Sequence, residues 1–311
     1  MPTIVQAINQ LDSAATALAN FRARPILVMY YPPRASVTEY DINYAYKELR
    51  DGGVAKEQPL TYGGDPVAGY RVAQVLRSMC NEMDVLVPEH AYSAGTLTSF
   101  CGDEIRLGDF AGLSPIDITI TEPGSDGVQL AGLDSFLQFA HEARAKSEEM
   151  LKDLQRKEAT SRVDSDLLVQ MVKEIGALTV GRYYRERTLT GHYAQILLEN
   201  YMFKKASDRK SRAGSVVSHF LFGAPSHEFH LDYRFCLDWH LNVSQMSTEE
   251  SDLGKAVVSK LRHCTETGLI CQRLDHRSRM PFVRFYRPVK RRRNARSGTQ
   301  TRRTGNAKTT S

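Results

Sequence analysis

Short apolar runs alternating with amphipathic stretches organise the first third of the chain. PILVMYY, residues 25–31, is a continuous, β-favouring apolar run, the pattern of a buried parallel strand. Residues 3–22 before it carry apolar positions near helical spacing. TEYDINYAYKELRDGG, 38–53, predicts a second helix stopped by paired glycines. QPLTYGGDP, 58–66, predicts a short strand entering a glycine turn, and PVAGYRVAQVLRSMCNE a helix with Pro66 in its first turn. DVLVPEH is the next strand and SAGTLTSFCGD the next helix. EIRLG, GLSPIDITI and DGVQLAGLD predict further short extended segments. Strand, turn and helix repeated in this order imply parallel βαβ layering and an α/β class.

From about Leu133 the pattern turns helical. LDSFLQFAHEARAKSEEMLKDLQRKEA predicts a long polar helix, and the segment to Ala206 continues mostly helical with breaks near Gly176 and Gly191. PSHEFHLDYRFCLDWHLNV reads as an extended stretch before another helix, TEESDLGKAVVSKLRHCTE. Three segments follow: an α/β core at 1–132, a mainly helical half at 133–275 that completes the fold, and a tail at 276–311. Charge sharpens the last boundary. Twelve of the 41 basic residues and none of the 36 acidic ones lie after Asp275, so residues 1–275 carry 29 basic against 36 acidic residues, a net −7. The tail therefore predicts a disordered basic segment, solubilising or in weak contact with a polyanion such as nucleic acid. No aromatic residue follows Tyr286 to form a base-stacking platform.

With 311 residues and 41% hydrophobic content the chain can bury one large core or two modest ones. No apolar run approaches the roughly 18 residues of a membrane span. The N-terminus lacks the basic start and long apolar centre of a secretion signal. A cytoplasmic protein without a membrane partner is the expectation. Five cysteines, Cys80, Cys101, Cys236, Cys264 and Cys271, form an odd set without a CxxC pair, so reduced thiols are expected rather than a disulfide framework. Cys264 and Cys271 with His263 and His276 match no standard zinc spacing. Neither a metal nor a cofactor is implied.

Two glycine-bearing turns carry the candidate chemistry. Each follows a strand and precedes a helix, and in a parallel sheet such strand ends share the edge where ligands bind. Gly63 and Gly64 allow a ligand to approach the backbone closely. Ser93, in HAYSAG, stands at the second junction between small residues. A Ser before a helix is ordinarily an N-cap. Here it is also the natural nucleophile, with the N–H groups of Gly64 and Ala94 in position to point at one oxygen, the requirement of an oxyanion hole. The motif is not GxSxG.

LTYGGDPVAGYRVAQVLRS followed by VLVPEHAYSAGTLTSFCGDEIRLGDFAGLSPID resembles the serine dehydrogenase proteinase family, relatives of Clp protease and signal peptide peptidase A. The resemblance spans roughly residues 20–245 and is sharpest over 60–120. Its elements here are Gly63–Gly64, Ser93–Thr96, Gly102–Ile105 and Leu113–Asp117, and PSHEFHLDYRF is similar to the family's Ser-His-Asp-Tyr-Pro segment. It implies a ClpP/crotonase-like spiral core, Ser93 as nucleophile, Gly63, Gly64 and Ala94 around the oxyanion, a peptide or protein substrate, and a homo-oligomer. Two departures stand out. Thr61-Tyr62 precedes the glycines, and Ser114 replaces the glycine of the family's Gly-Pro turn.

A serine hydroxyl needs a base. Where Clp proteases place their His, about two dozen residues past the Ser, this chain has Asp117. Lys146 falls where lysine-dyad relatives place their base, and it would have to be desolvated to act near neutral pH. A solvated helix residue is its plain alternative. His141 is a second candidate. His90 is expected to point away from the site. His227 and His230, three apart on an extended segment, are read as structural, Trp239 as packing, and Tyr183 and Tyr184 as a half-buried helix face. Serine peptidase, catalytically inactive scaffold, and crotonase-like acyl-CoA enzyme are the three functional readings, in that order.

Overall fold

The computed structural model describes residues 4–30, 57–59, 65–118, 177–266 and 282–287. The expected helix at 38–53, the segments between 119 and 176, and the basic block after 287 lie outside them, as do Gly63, Gly64, His141, Lys146 and Cys271. The described elements are α1 (Ile4–Arg22), β1 (Ile26–Tyr30), β2 (Glu57–Pro59), α2 (Pro66–Ser78), β3 (Asp84–Val87), β4 (His90–Ala91), α3 (Ala94–Ser99), β5 (Glu104–Leu107) and β6 (Gly112–Leu113). They continue with α4 (Ala177–Leu197), which runs into one π-helical turn (Leu198–Met202), α5 (Arg209–Phe222), α6 (Tyr233–Asp238), β7 (Val243–Gln245), α7 (Thr248–Glu266) and β8 (Phe282–Tyr286).

The fold is mixed α/β around a four-stranded parallel sheet in the order β2-β3-β5-β7, with Val85 opposite Ile105 and Ile105 opposite Val243. A second, small parallel ladder pairs β4 with β6. Helices cover both faces, which is why the strands are apolar at consecutive positions. Val85, Val87, Ile105 and Leu107 enter the core formed with α2, α3, α4 and α5, while Leu86 turns to the opposite core with α1 and α7. β1 divides the same way, Leu27 and Met29 to one side, Ile26, Val28 and Tyr30 to the other. The period of two is intact, although the apolar run conceals it.

Three expectations are corrected. β1 is buried, but it pairs antiparallel with β8, Ile26 opposite Tyr286, rather than joining a parallel sheet. β8 lies within the 276–311 segment expected to be disordered. Its FVRFY run is rich in β-favouring residues, and the buried Tyr286 donates its hydroxyl to Asp12 of α1 at 2.8 Å. α4 continues through Gly191 without a break, because the missing side chain leaves room for Leu221 of α5, whose Cδ1 would stand 2.9 Å from a Cβ there. The helical half also interleaves with the α/β part: β7 extends the parallel sheet, and α7 packs along α1. Among the described residues no helix is long and apolar enough to cross a membrane.

The GDEI stretch shows how a motif becomes an anchor. Gly102 leaves space for Val85, whose Cγ2 would meet a Cβ at 2.8 Å. Asp103 receives Arg77 at 2.9 and 3.2 Å, Lys204 at 2.7 Å and the Met83 N–H at 2.8 Å. The Arg77 side chain is only 2% exposed. Burial works against the Asp103 carboxylate, but the hydrogen bonds from Arg77, Lys204 and Met83 outweigh it and hold the group below the usual carboxylate range. Lowered in the folded state, the carboxyl binds fewer protons there than in the unfolded chain. Its contribution is present above the unfolded value of about 4 and is lost as pH falls through the folded one. Asp103→Asn is expected to cost about 3 kcal/mol at neutral pH by stranding Arg77. Urea melts across pH 2–7 should show a shallower loss of stability in acid for the variant than for the wild type.

Candidate functional site

Ser93 sits where β4 turns into α3. Its backbone angles, φ 52° and ψ −113°, are those of the first central residue of a type II′ turn, a position that glycine favours. The turn is closed by the Gly95 N–H donating to the Tyr92 carbonyl at 2.8 Å. A serine held there stores on the order of 1–3 kcal/mol of strain. The N-cap explanation also fails, since the Ser93 side chain caps none of the orphan N–H groups of α3. Ala94, first residue of that helix, has an N–H that no helical carbonyl can satisfy.

The small residues around Ser93 have a packing role of their own. α3 lies so close to α2 that a Cβ on Gly69 would stand 3.1 Å from Thr98 Oγ1 and 3.2 Å from the Ala94 carbonyl oxygen. Thr98 donates to the Ala94 carbonyl at 2.7 Å, and Ser99 to that of Gly95 at 2.8 Å. Thus α3 carries its hydroxyls inward: those of Thr98 and Ser99 are paired along the helix, and that of Thr96 donates to the Ala91 carbonyl of β4 at 2.7 Å.

A cleft of about 80 Å³ opens at this corner, lined by Pro66, Ser93, Ala94, Leu97, Ile116, Asp117, Ile118 and Thr190. Pro66 begins α2, so the start of α2 and the start of α3 meet at this cleft. Gly63 and Gly64, expected at that rim, lie outside the described residues; Asp65 caps α2 by accepting the Val67 N–H at 2.9 Å.

Asp117 reaches the cleft through strand register. Parallel pairing of His90 with Gly112 and Ala91 with Leu113 sets the residues after β6 alongside those after β4. Leu113 is bridged antiparallel to Leu231, which brings in the turn before it. There His227 Nδ1 lies 2.7 Å from Asp117 Oδ1, both side chains about one-fifth exposed. Sequence reading treated His227 as part of a structural strand. In the structure it stands on a turn between α5 and the Leu231 bridge, paired with the one cleft carboxylate among the described lining residues. The signals available were the resemblance of PSHEF to a Ser-His segment and the His missing at position 117.

Lys146 and His141 lie outside the described residues. The hydroxyl of Tyr92 lies between His90 Nδ1, 3.3 Å away, and His230 Nδ1, 3.2 Å away, and none of the three lines the cleft. Burial, opposed by Glu89, holds the His90 imidazolium below its usual range. Trp239 stacks on His219 and meets Phe220 edge-on, a packing role. Tyr183 is buried, whereas Tyr184 is exposed. Among the described residues no cluster of His, Cys, Asp and Glu is arranged to hold a metal ion.

No family model, curated protein or solved structure matches the chain. What the site can do therefore rests on its own geometry.

Gly69→Ala is expected to push α2 away from α3 by a few tenths of an ångström and to destabilise the protein by about 1–3 kcal/mol. Chemical denaturation checks this, and a variant as stable as wild type would contradict the close α2–α3 contact.

Proposed function

We propose that the chain is a serine hydrolase of the Clp-like serine proteinase group, akin to the serine dehydrogenase proteinases it resembles, acting on a peptide or protein through an acyl-enzyme at Ser93. The observation that carries this reading is the backbone of Ser93. A non-glycine residue in a glycine conformation at a strand-to-helix corner, capping nothing and lining a cleft, fits a presented nucleophile better than a structural serine. The parallel sheet with its small β4–β6 second layer suits a ClpP/crotonase-like spiral core.

In the proposed mechanism Ser93 Oγ attacks the carbonyl carbon of the scissile bond, and His227 Nε2 takes the hydroxyl proton. Asp117 holds Nδ1–H of the same ring, which selects the tautomer whose Nε2 is free to accept and stabilises the imidazolium that forms. The N–H of Ala94 receives the oxyanion, and the resemblance assigns Gly63 and Gly64 to the same oxyanion hole. Collapse of the tetrahedral intermediate breaks the C–N bond, and the leaving amine takes the proton from His227. Water then repeats the sequence on the ester. In this reading the order along the chain is Ser, Asp, His, and Lys146 is not the base. An inactive scaffold was suggested by the His missing at position 117 together with the unassigned base, and a His partner for Asp117 weakens that argument. Assembly of copies around the cleft, as in the Clp-like group, would restrict the substrate to unfolded chains or peptides.

A fluorophosphonate probe is expected to label Ser93 and to fail on Ser93→Ala. Asp117→Asn and His227→Ala should slow labelling by about 10³- to 10⁴-fold, and Lys146→Ala should leave it unchanged. Loss of labelling in Lys146→Ala with His227→Ala unaffected would replace the triad by a Ser–Lys dyad. Absence of labelling in folded wild-type protein would remove the hydrolase reading altogether.

A further inference from the structure

Ser114 stands where the resembled motif has glycine, and its hydroxyl accepts the Ser93 N–H at 2.7 Å. The residue is 1% exposed. Its hydroxyl hydrogen is directed to the Pro115 carbonyl at 3.1 Å, so a lone pair of Oγ faces the Ser93 amide. The Ser114 N–H donates to Thr96 Oγ1 at 3.1 Å, and the Thr96 hydroxyl donates in turn to the Ala91 carbonyl at 2.7 Å. Thr96 is fully buried. These four bonds tie the end of β4, the first turn of α3 and the residues after β6 into one ring around the Ser93 corner.

We propose that Ser114 is a positioning residue for the reaction at Ser93. This inference rests on the hydrolase reading above. The peptide between residues 93 and 94 is oriented by the ψ of Ser93, so whatever fixes Ser93 also aims the Ala94 N–H at the oxyanion. Left without its acceptor, the Ser93 amide is free to turn with its residue toward negative φ, which relieves the strain and swings both Oγ and the Ala94 N–H out of line. Ser114 also engages the Ser93 N–H fully, which leaves the Ala94 amide as the donor this corner offers the oxyanion. A glycine at position 114 lacks this device, and the corner would then depend on the II′ turn alone.

The test combines probe kinetics with amide hydrogen exchange on full-length protein. In Ser114→Ala the maximal rate of fluorophosphonate labelling should fall by about 10- to 100-fold, the cost of one lost buried hydrogen bond expressed in the transition state. The half-saturating probe concentration should hardly move. Ser114→Thr keeps the hydroxyl and should recover most of the rate. In wild type the Ser93 amide should be protected from exchange, and in Ser114→Ala it should exchange faster. Labelling of Ser114→Ala at the wild-type rate would overturn the positioning role. An unprotected Ser93 amide in wild type would overturn the hydrogen bond itself, and that arm decides even if Ser114→Ala does not fold. Wild-type protein that resists the probe but protects the Ser93 amide would sink the hydrolase reading, and with it the positioning role, while leaving the ring of hydrogen bonds in place.

Discussion

The short parallel pairing of β4 with β6 is the constraint on which the site depends. It spans only two residue pairs, yet it places the chain after Leu113 beside the chain after Ala91. This register makes neighbours of Ser93, Ser114 and Asp117, and the hydrogen bonds of Ser114 and Thr96 fasten them. The bridge from Leu113 to Leu231, with the Ile116 N–H donating to the Phe220 carbonyl at 3.0 Å, then adds His227 to the group. Ladders this short are weak by themselves. They persist here because Ala91, Leu113 and Leu231 are all buried in the main core, so packing supplies what so short a ladder cannot.

A strained corner requires a stiff surrounding. The Ser93 conformation is tolerated because α3 is fixed on three sides: against α2 through the Gly69 contact, along its own length through inward hydroxyls, and at its start through Ser114 and Thr96. Behind it, the Arg77–Asp103–Lys204 network secures α2 to the start of β5 and to the turn after the π-helical segment. The two roles differ in kind. The ion network is partly buried and highly satisfied, so it specifies how elements meet. The hydroxyl ring around Ser93 sets the direction of one side chain and one amide.

Much of the scaffold was legible from local pattern. The helices at 4–22, 66–78 and 248–266, the strands at 84–87 and 104–107, and the junction at Ser93 all follow from periodicity, proline placement and glycine turns. The errors have a common physical origin. An apolar run indicates burial on both faces but contains no information on strand direction, so β1 was given a parallel partner. A basic tail is legible as charge, yet the apolar residues of 282–286 needed a strand edge elsewhere in the chain before they could order. His227 lacked a local signature because its partner lies 110 residues away.

Sequence alone determined the α/β class of the fold and the place of Ser93 at a strand-to-helix corner, because strands, helices and tight turns are set by neighbours within a few positions. It also marked Asp117 as standing where a histidine was expected. Which groups surround that serine was decided only in three dimensions, since strand register and one isolated bridge join residues from three distant parts of the chain. The strain at Ser93 likewise has no counterpart in composition or spacing. A positive φ on a serine costs free energy locally, and only the packing and hydrogen bonds of the assembled structure can sustain it.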